Sequence, residues 1–159
     1  MWRPLRQRHR SLECSDMKVK VIKIGGKLIE NGEVLSSLCD SLASLDEKFV
    51  LVHGGGPEIT DTLKKIGKES VFVDGLRVTD KETADVVQMV LAGKINKSLV
   101  NLLGSKGGKA IGISGIDGHL IESEIKDERL GFVGKITNVN VQPILDLLAH
   151  KYIPVVSTV

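Results

Sequence analysis

Two glycine-bearing segments carry the residue types best suited to chemistry. Lys23 precedes Gly25-Gly26, and His53 leads into Gly54-Gly55-Gly56. A glycine leaves its own N–H uncovered, and several such groups near the start of a helix form a site for an anion. Glycines also serve tight turns, and one pair alone would say no more than that. Two loops at equivalent strand ends favour an anion or phosphate site. Within its strand, Lys23 shares a face with Val19 and Val21, whereas Lys18 and Lys20 lie on the other. Either its stem snorkels from a frayed strand end, or its ammonium enters the glycine cleft, where it would stabilise charge on a transferring phosphoryl group.

Three further residues stand near these segments or between glycines. Arg77 is either a surface arginine or a bidentate grip on a carboxylate. His53 is a general base or a structural residue at a strand end. Asp117, between Gly115-Ile116 and Gly118, is most simply a turn residue. Other nucleotide motifs are missing. No GxxxxGK[ST] is present, Gly104–Lys109 (GSKGGK) fails that spacing, and no GxGxxG follows the first strand. Asn96-Lys97-Ser98 matches a glycosylation sequon but falls inside a predicted helix.

The elements that must position these residues alternate. Val19–Ile24 reads as a strand, and Val34, Leu35, Leu38, Leu42 and Leu45 mark one face of a helix. Phe49–Val52 is a short apolar strand. Pro57 suits a first helical turn, with Ile59, Leu63 and Ile66 as the stripe and Gly67 as the stop. Val71–Val73 is extended and ends at Asp74-Gly75. Thr79 and Glu82 fit a capping box opening a long helix towards Leu103, with Gly93 as its weak point. Ala110–Ser114 is a strand, His119–Ile125 and Phe132–Thr137 a candidate hairpin, Asn140 a cap for a last helix, and Tyr152–Val156 the final strand. The pattern predicts an α/β fold with a mostly parallel sheet sandwiched by helices, the β-hairpin being the antiparallel exception. Ligands then bind beyond the carboxyl ends of the strands, where both glycine loops fall.

Composition agrees. The chain has 159 residues, 42 % hydrophobic and 26 % charged, which is globular and excludes a disordered tail, a fibre or a disulfide scaffold. Aromatics are 3 %, too few for a nucleic-acid stacking platform. Residues 1–16 hold four Arg against Glu13 and Asp16, and the rest carries 18 basic and 18 acidic residues. No basic face is implied, so neither nucleic acid nor a membrane is the expected partner. No apolar run is long enough to span a bilayer. Residues 1–16 lack a signal-peptide core and read as a disordered basic arm or as sequence ahead of a true start at Met17, in preference to a transit peptide. Cys14 and Cys39 read as a tail thiol and a buried small hydrophobe.

The segments Lys23–Lys27 (KIGGK), Val52–Ile59 (VHGGGPEI), Phe72–Asp80 (FVDGLRVTD), Leu91–Lys97 (LAGKINK), Gly112–Gly118 (GISGIDG), Gly131–Asn140 (GFVGKITNVN) and Ile153–Ser157 (IPVVS) together resemble the amino acid kinase family. FVDGLRVTD is similar to the branch that phosphorylates N-acetyl-L-glutamate in arginine biosynthesis. Relatives acting on carbamate, aspartate, glutamate or a carrier-bound aminoadipate, or a non-catalytic amino-acid-binding module, are the alternatives.

The resemblance implies that residues 17–159 form an amino-terminal, substrate-binding lobe of carbamate kinase-like fold. It implies a catalytic Lys23 acting on the γ-phosphoryl group. The N–H groups of Gly25 and Gly26 would hold that group, Gly54, Gly55 and Gly56 would form the substrate loop, and Arg77 would clamp the α-carboxylate. ATP would arrive with Mg²⁺, with no metal held by side chains of this lobe. The family also implies a homodimer built on the long helix 80–103 and a cytoplasmic location. The nucleotide-binding half has no counterpart in these 159 residues. The chain alone is therefore expected not to catalyse efficient phosphoryl transfer, and its last strand is expected to be an apolar sheet edge. Residues 1–16 contain Pro4 and lack an apolar stripe, which argues against the additional helix of arginine-inhibited relatives.

Overall fold

A computed structural model describes residues 18–159; the arm expected over residues 1–16, with Cys14, lies outside them. In chain order the elements begin with β1 (Lys20–Ile24), α1 (Gly26–Glu30), α2 (Gly32–Ala43), β2 (Phe49–His53), α3 (Gly56–Lys65), β3 (Phe72–Val73) and β4 (Leu76–Arg77). The chain continues through α4 (Lys81–Gln88), a π-helical stretch (Met89–Ile95), α5 (Asn96–Ser105), β5 (Ala110–Ser114), β6 (Ile121–Ile125), β7 (Gly134–Val139), α6 (Gln142–Ala149) and β8 (Ile153–Ser157).

β1, β2, β8 and β5 form one parallel sheet in that order. Phe49, Val50 and Leu51 of β2 are all buried, as expected of a strand covered on both faces. One face carries Ile24, Leu51 and Val155 against Leu35, Cys39 and Leu42 of α2, Leu63 of α3, and the long helix at Val90, Leu91, Ile95, Leu99 and Leu103. The other face carries Val50 and Val156 against Leu148 of α6 and Leu120. Two antiparallel hairpins, β3–β4 and β6–β7, stand off this sheet. Among the described residues no helix is long and apolar enough to cross a membrane.

Several expectations change. The last strand is not an edge: β8 lies between β2 and β5, and β1 and β5 are the edges. Its Pro154 is tolerated because the Ile153 N–H donates to Lys109 O on the β5 side, so the missing donor falls on the β2 side, where pairing starts only at Val155. The long helix is capped by Asp80, whose carboxylate accepts from the Thr83 N–H at 2.8 Å, and not by a Thr79–Glu82 box. The Thr79 hydroxyl donates to Arg77 O instead, at 2.8 Å. In α2, Leu35 and Leu42 are buried as expected, but Val34 is exposed, and Leu45 lies beyond the helix end and is exposed as well. The short α1 was not legible as a separate helix. Asn140 accepts from the Gln142 N–H at 3.2 Å, helping to open α6. Cys39 is fully buried, and that burial pushes its thiol up.

One buried amide ties the long helix to the sheet. Asn96, at the start of α5, donates to Val155 O of β8 at 2.9 Å and to Ile113 O of β5 at 3.4 Å. It also lies 3.2 Å from His53 Nε2 of β2. His53 Nδ1 lies 3.0 Å from Gly54 O. A neutral imidazole donating at Nδ1 and accepting at Nε2 satisfies both contacts. Burial pushes the His53 pKa below its ordinary value, which favours that neutral form. Asn96→Leu keeps the volume but leaves an imidazole nitrogen and a strand carbonyl without a donor. It should cost about 1–3 kcal/mol, read as a lower denaturation midpoint with unchanged circular dichroism.

Asp80 also accepts an ion pair from Lys68, which spans Asp80 and Glu82 at 2.7 Å each. The Lys68 ammonium and the Thr83 N–H hold the Asp80 pKa at about 2, below its usual 3.8. A depressed carboxylate pKa contributes stability that is full above about pH 4 and is lost as pH falls through 2. Asp80→Asn, which still caps, should therefore be less stable than wild type in urea at pH 6. That difference should shrink towards zero near pH 2.

Candidate functional site

The carboxyl ends of β1 and β2 lie side by side, with Ile24 opposite His53, so the chain emerges from both strands at one place. Each then turns into a helix through glycine. Gly25 is the N-cap of α1 and Gly55 that of α3, and neither helix has a side-chain cap. The first N–H groups of a helix have no partner within it. At α2 and α4 the side chains of Asn31 and Asp80 supply one, whereas at α1 and α3 no side chain does. Pro57 in the first turn of α3 fixes the helical φ there.

Missing side chains also set the spacing of the two loops. A Cβ on Gly26 would lie 2.7 Å from Pro57 Cδ and 3.5 Å from Gly56 N, so the loops touch only because residue 26 is glycine. A Cβ on Gly55 would lie 2.8 Å from Leu91 Cδ2 and overlap Ile95 Cδ1, so the second loop is pressed onto the π-helical stretch. Where a Cβ would project from Gly25, Gly54 and Gly56, nothing lies within 4 Å. These three positions leave room for a ligand.

Arg77 reaches this place from β4. Its Nη2 donates to Thr60 Oγ1 at 3.0 Å and to Gly56 O at 3.3 Å, both in the opening turns of α3. Its Nη1 donates to Ser70 Oγ. The guanidinium carbon sits 4.7 Å from the centre of the Phe72 ring, a cation–π geometry. Burial pushes the Arg77 pKa down, yet a guanidinium stays charged. Of its five N–H donors, those not engaged here remain to take an anion. The first turn of α3 is further held by an ion pair between Glu58 and Lys94 of the long helix.

Lys23 stands at the end of β1, two residues before Gly25. Its side chain is exposed, and among the described residues it has no ion-pair or hydrogen-bond partner. The face it shares with Val19 and Val21 is not the well-covered one: Val21 is 70 % exposed, while Ile24 on the other face is fully buried. An ammonium on that open face at a strand end needs no special explanation from burial; what distinguishes Lys23 is its place beside Gly25-Gly26.

The structure thus brings together Gly26 with Gly56, and Arg77 with Gly56, and places Lys23, Gly25, Gly54 and Gly55 around them. His53 points into the core on Asn96 and is structural. Asp117 is a turn residue, accepting from the Ser114 N–H at 2.7 Å and the Ser114 hydroxyl at 2.8 Å. Asn96 and Thr60, which orient the site, carry no sequence signal by periodicity, because each matters through partners distant in the chain. No cluster of three or more His, Cys, Asp or Glu placed to hold a metal ion occurs among the described residues. Uncapped N–H groups beside a lysine can instead receive an anion, and a guanidinium can receive a carboxylate.

Comparison with known proteins places the chain in a family. The chain is 48 % identical over 147 residues to the acetylglutamate kinase of Clostridium kluyveri, covering 89 % of this chain and 52 % of that one. It is 43 % identical over 154 residues to the acetylglutamate kinase of Methanothrix thermoacetophila, covering 89 % and 53 %. It therefore spans about half the length of the curated relatives it matches. Among solved structures, smu.665 of Streptococcus mutans superposes with a TM-score of 0.75 at 27 % identity, covering 87 % of this chain and 58 % of that one. The N-acetylglutamate synthase of Neisseria gonorrhoeae, complexed with coenzyme A and N-acetyl-glutamate, shares the fold at TM-score 0.70 and 21 % identity, over 87 % and 33 %. The model of the amino acid kinase family matches residues 18–159, and the chain belongs to that family.

Proposed function

We propose that this chain forms the substrate side of an acetylglutamate kinase, binding N-acetyl-L-glutamate and presenting its γ-carboxylate to ATP. The observation that carries the reading is the meeting of Arg77 with the first turn of α3 at Gly56 and Thr60. That meeting sets a carboxylate-gripping cation beside the uncapped glycine N-termini. The identity to named acetylglutamate kinases supports the choice of acid.

In this reading Arg77 grips the α-carboxylate through its free N–H donors. The 54–56 loop lies against the rest of the substrate, its backbone able to approach closely because no side chain intervenes. Held this way, the γ-carboxylate points at the loop of Gly25 and Gly26. When bound, ATP with Mg²⁺ supplies the γ-phosphoryl group. The N–H groups of Gly25 and Gly26 and the ammonium of Lys23 face the charge that spreads over its oxygens during in-line transfer. A γ-carboxylate oxygen forms the new bond to phosphorus as the bond to the ADP oxygen breaks, and no enzyme nucleophile is needed. Positioning and electrostatics carry the catalysis. The setting is a cytoplasmic biosynthetic one.

The same reading includes a homodimer on the long helix. Asp85, Gln88, Met89, Ala92 and Gly93 line a shallow depression on its outer face, and Met89 is 62 % exposed. Small residues there allow a second helix to approach closely.

Calorimetric titration of the purified chain with N-acetyl-L-glutamate should show saturable binding, with plain glutamate weaker. Arg77→Lys keeps charge but loses the fork and should weaken affinity roughly tenfold or more. Lys23→Met should leave that affinity nearly unchanged and abolish phosphoryl transfer in the complete enzyme. Binding of glutamate as tightly as its acetyl derivative would refute the substrate assignment. For the dimer, Met89→Glu should convert a dimeric sedimentation profile into a monomeric one.

A further inference from the structure

Arg77 donates from a two-residue strand, too short to fix a side chain by itself. Its backbone is held from elsewhere. Val78 N–H donates to Val71 O at 2.9 Å, and the Thr79 hydroxyl donates to Arg77 O at 2.8 Å. Thr79 in turn is clasped on both sides by the connection between β6 and β7: its N–H donates to Leu130 O at 2.8 Å, and its carbonyl accepts from the Phe132 N–H at 2.7 Å. Thr79 and Gly131 form a parallel bridge between these otherwise separate segments. Thr79 is buried and so is Leu130.

Gly131 makes the clasp possible. It adopts φ +68°, which side-chain-bearing residues rarely take, and a Cβ there would overlap Thr79 O. The connection is itself braced: Asp127 accepts from the Arg129 N–H at 2.9 Å and pairs with the Arg129 guanidinium at 2.6 Å, and Lys126 N–H donates to Val133 O at 2.9 Å.

We infer that Gly131 is a positioning residue for Arg77, acting through Thr79, so that the β6–β7 connection sets how well the site grips a carboxylate. Its bearing on substrate rests on the reading of Arg77 as the carboxylate clamp; its bearing on Arg77 itself does not. Gly131 touches no part of the site directly. The effect travels through two backbone hydrogen bonds and one hydroxyl to the strand that carries the guanidinium.

The test uses the full chain and two readouts. The first is the Arg77 Nε–Hε resonance, displaced by the Phe72 ring beside it; the second is affinity for N-acetyl-L-glutamate. Gly131→Ala should return the Arg77 resonance towards an ordinary arginine value and weaken binding roughly tenfold. Gly107→Ala is the strain-matched control: Gly107 also has positive φ, at +87°, but a Cβ there meets nothing within 4 Å. It should lose stability without moving either readout. Should Gly131→Ala fail to fold, Thr79→Val breaks the next link and should reproduce both effects, and Thr79→Ser should restore them. A folded Gly131→Ala with wild-type Arg77 resonance overturns the inference, as does a Gly107→Ala that moves that resonance equally. Absence of binding in the wild-type chain would refute the substrate reading alone, because the resonance still decides whether Gly131 positions Arg77.

Discussion

The buried Asn96 amide is the interaction on which the site's geometry depends. It joins the long helix to β2, β8 and β5 at their carboxyl ends, through His53, Val155 and Ile113. Those are the strand ends from which loops depart, so fixing the helix there fixes where the loops begin. A buried polar group is costly unless paired, and this pairing is available in one register only. Sliding the helix by a turn would strand the amide in an apolar layer. Hydrophobic contacts of the same helix tolerate small shifts; the amide does not. Gly112 is part of the same constraint, since a Cβ on it would overlap Asn96 Oδ1.

Given that frame, the site is made mostly by what is left out. Capping side chains serve α2 and α4. At α1 and α3 the caps are glycines, and the N–H groups stay open. A glycine cap costs such an end only a few tenths of a kcal/mol, which at α3 the burial of Ile59 and Leu63 offsets many times over. A guanidinium engaged with Thr60 and Gly56 then supplies a cation, half-buried on the ring of Phe72.

Much of this was legible in the residues. Strand ends succeeded by glycine, the Pro57 start, a hairpin pairing His119–Ile125 with Phe132–Thr137 and the apolar run of β2 are local patterns, and the structure obeys them with the hairpin strands at Ile121–Ile125 and Gly134–Val139. Gly25-Gly26 and the 54–56 loop were legible for the same reason. What escaped is what local pattern does not encode. The place of β8 between β2 and β5 is decided by crossover connections, so the expectation that the last strand lacks a neighbour for want of the nucleotide-binding half did not hold. Thr79 and Asp80 both suit an N-cap, and only the Thr79 clasp at Leu130 and Phe132 decides between them. The face bearing Lys23 reads as apolar from Val19 and Val21, yet one helix, α6, packs on that side of the sheet and leaves Val21 open. Asn96 looks like any polar helix residue until three strands converge on it.

The π-helical stretch explains how one helix serves both the sheet and the glycine loop. Widening a helix by one residue per turn rotates its later turns relative to its earlier ones. Leu91 and Ile95, four residues apart, share a face and both bear on Gly55, while Asn96, next along, faces the strands. Relative to the cap at Asp80, the widening changes the angle at which Asn96 and the later turns are presented to the sheet. The Gly93 in this stretch has nothing packed where a Cβ would be, so no contact within the chain requires it; its low helical preference eases the departure from α geometry. The weak point expected at Gly93 is therefore not a break but a widening, and at its end the contact with the glycine loop, at Ile95, and the sheet anchor, at Asn96, fall on adjacent residues of one element.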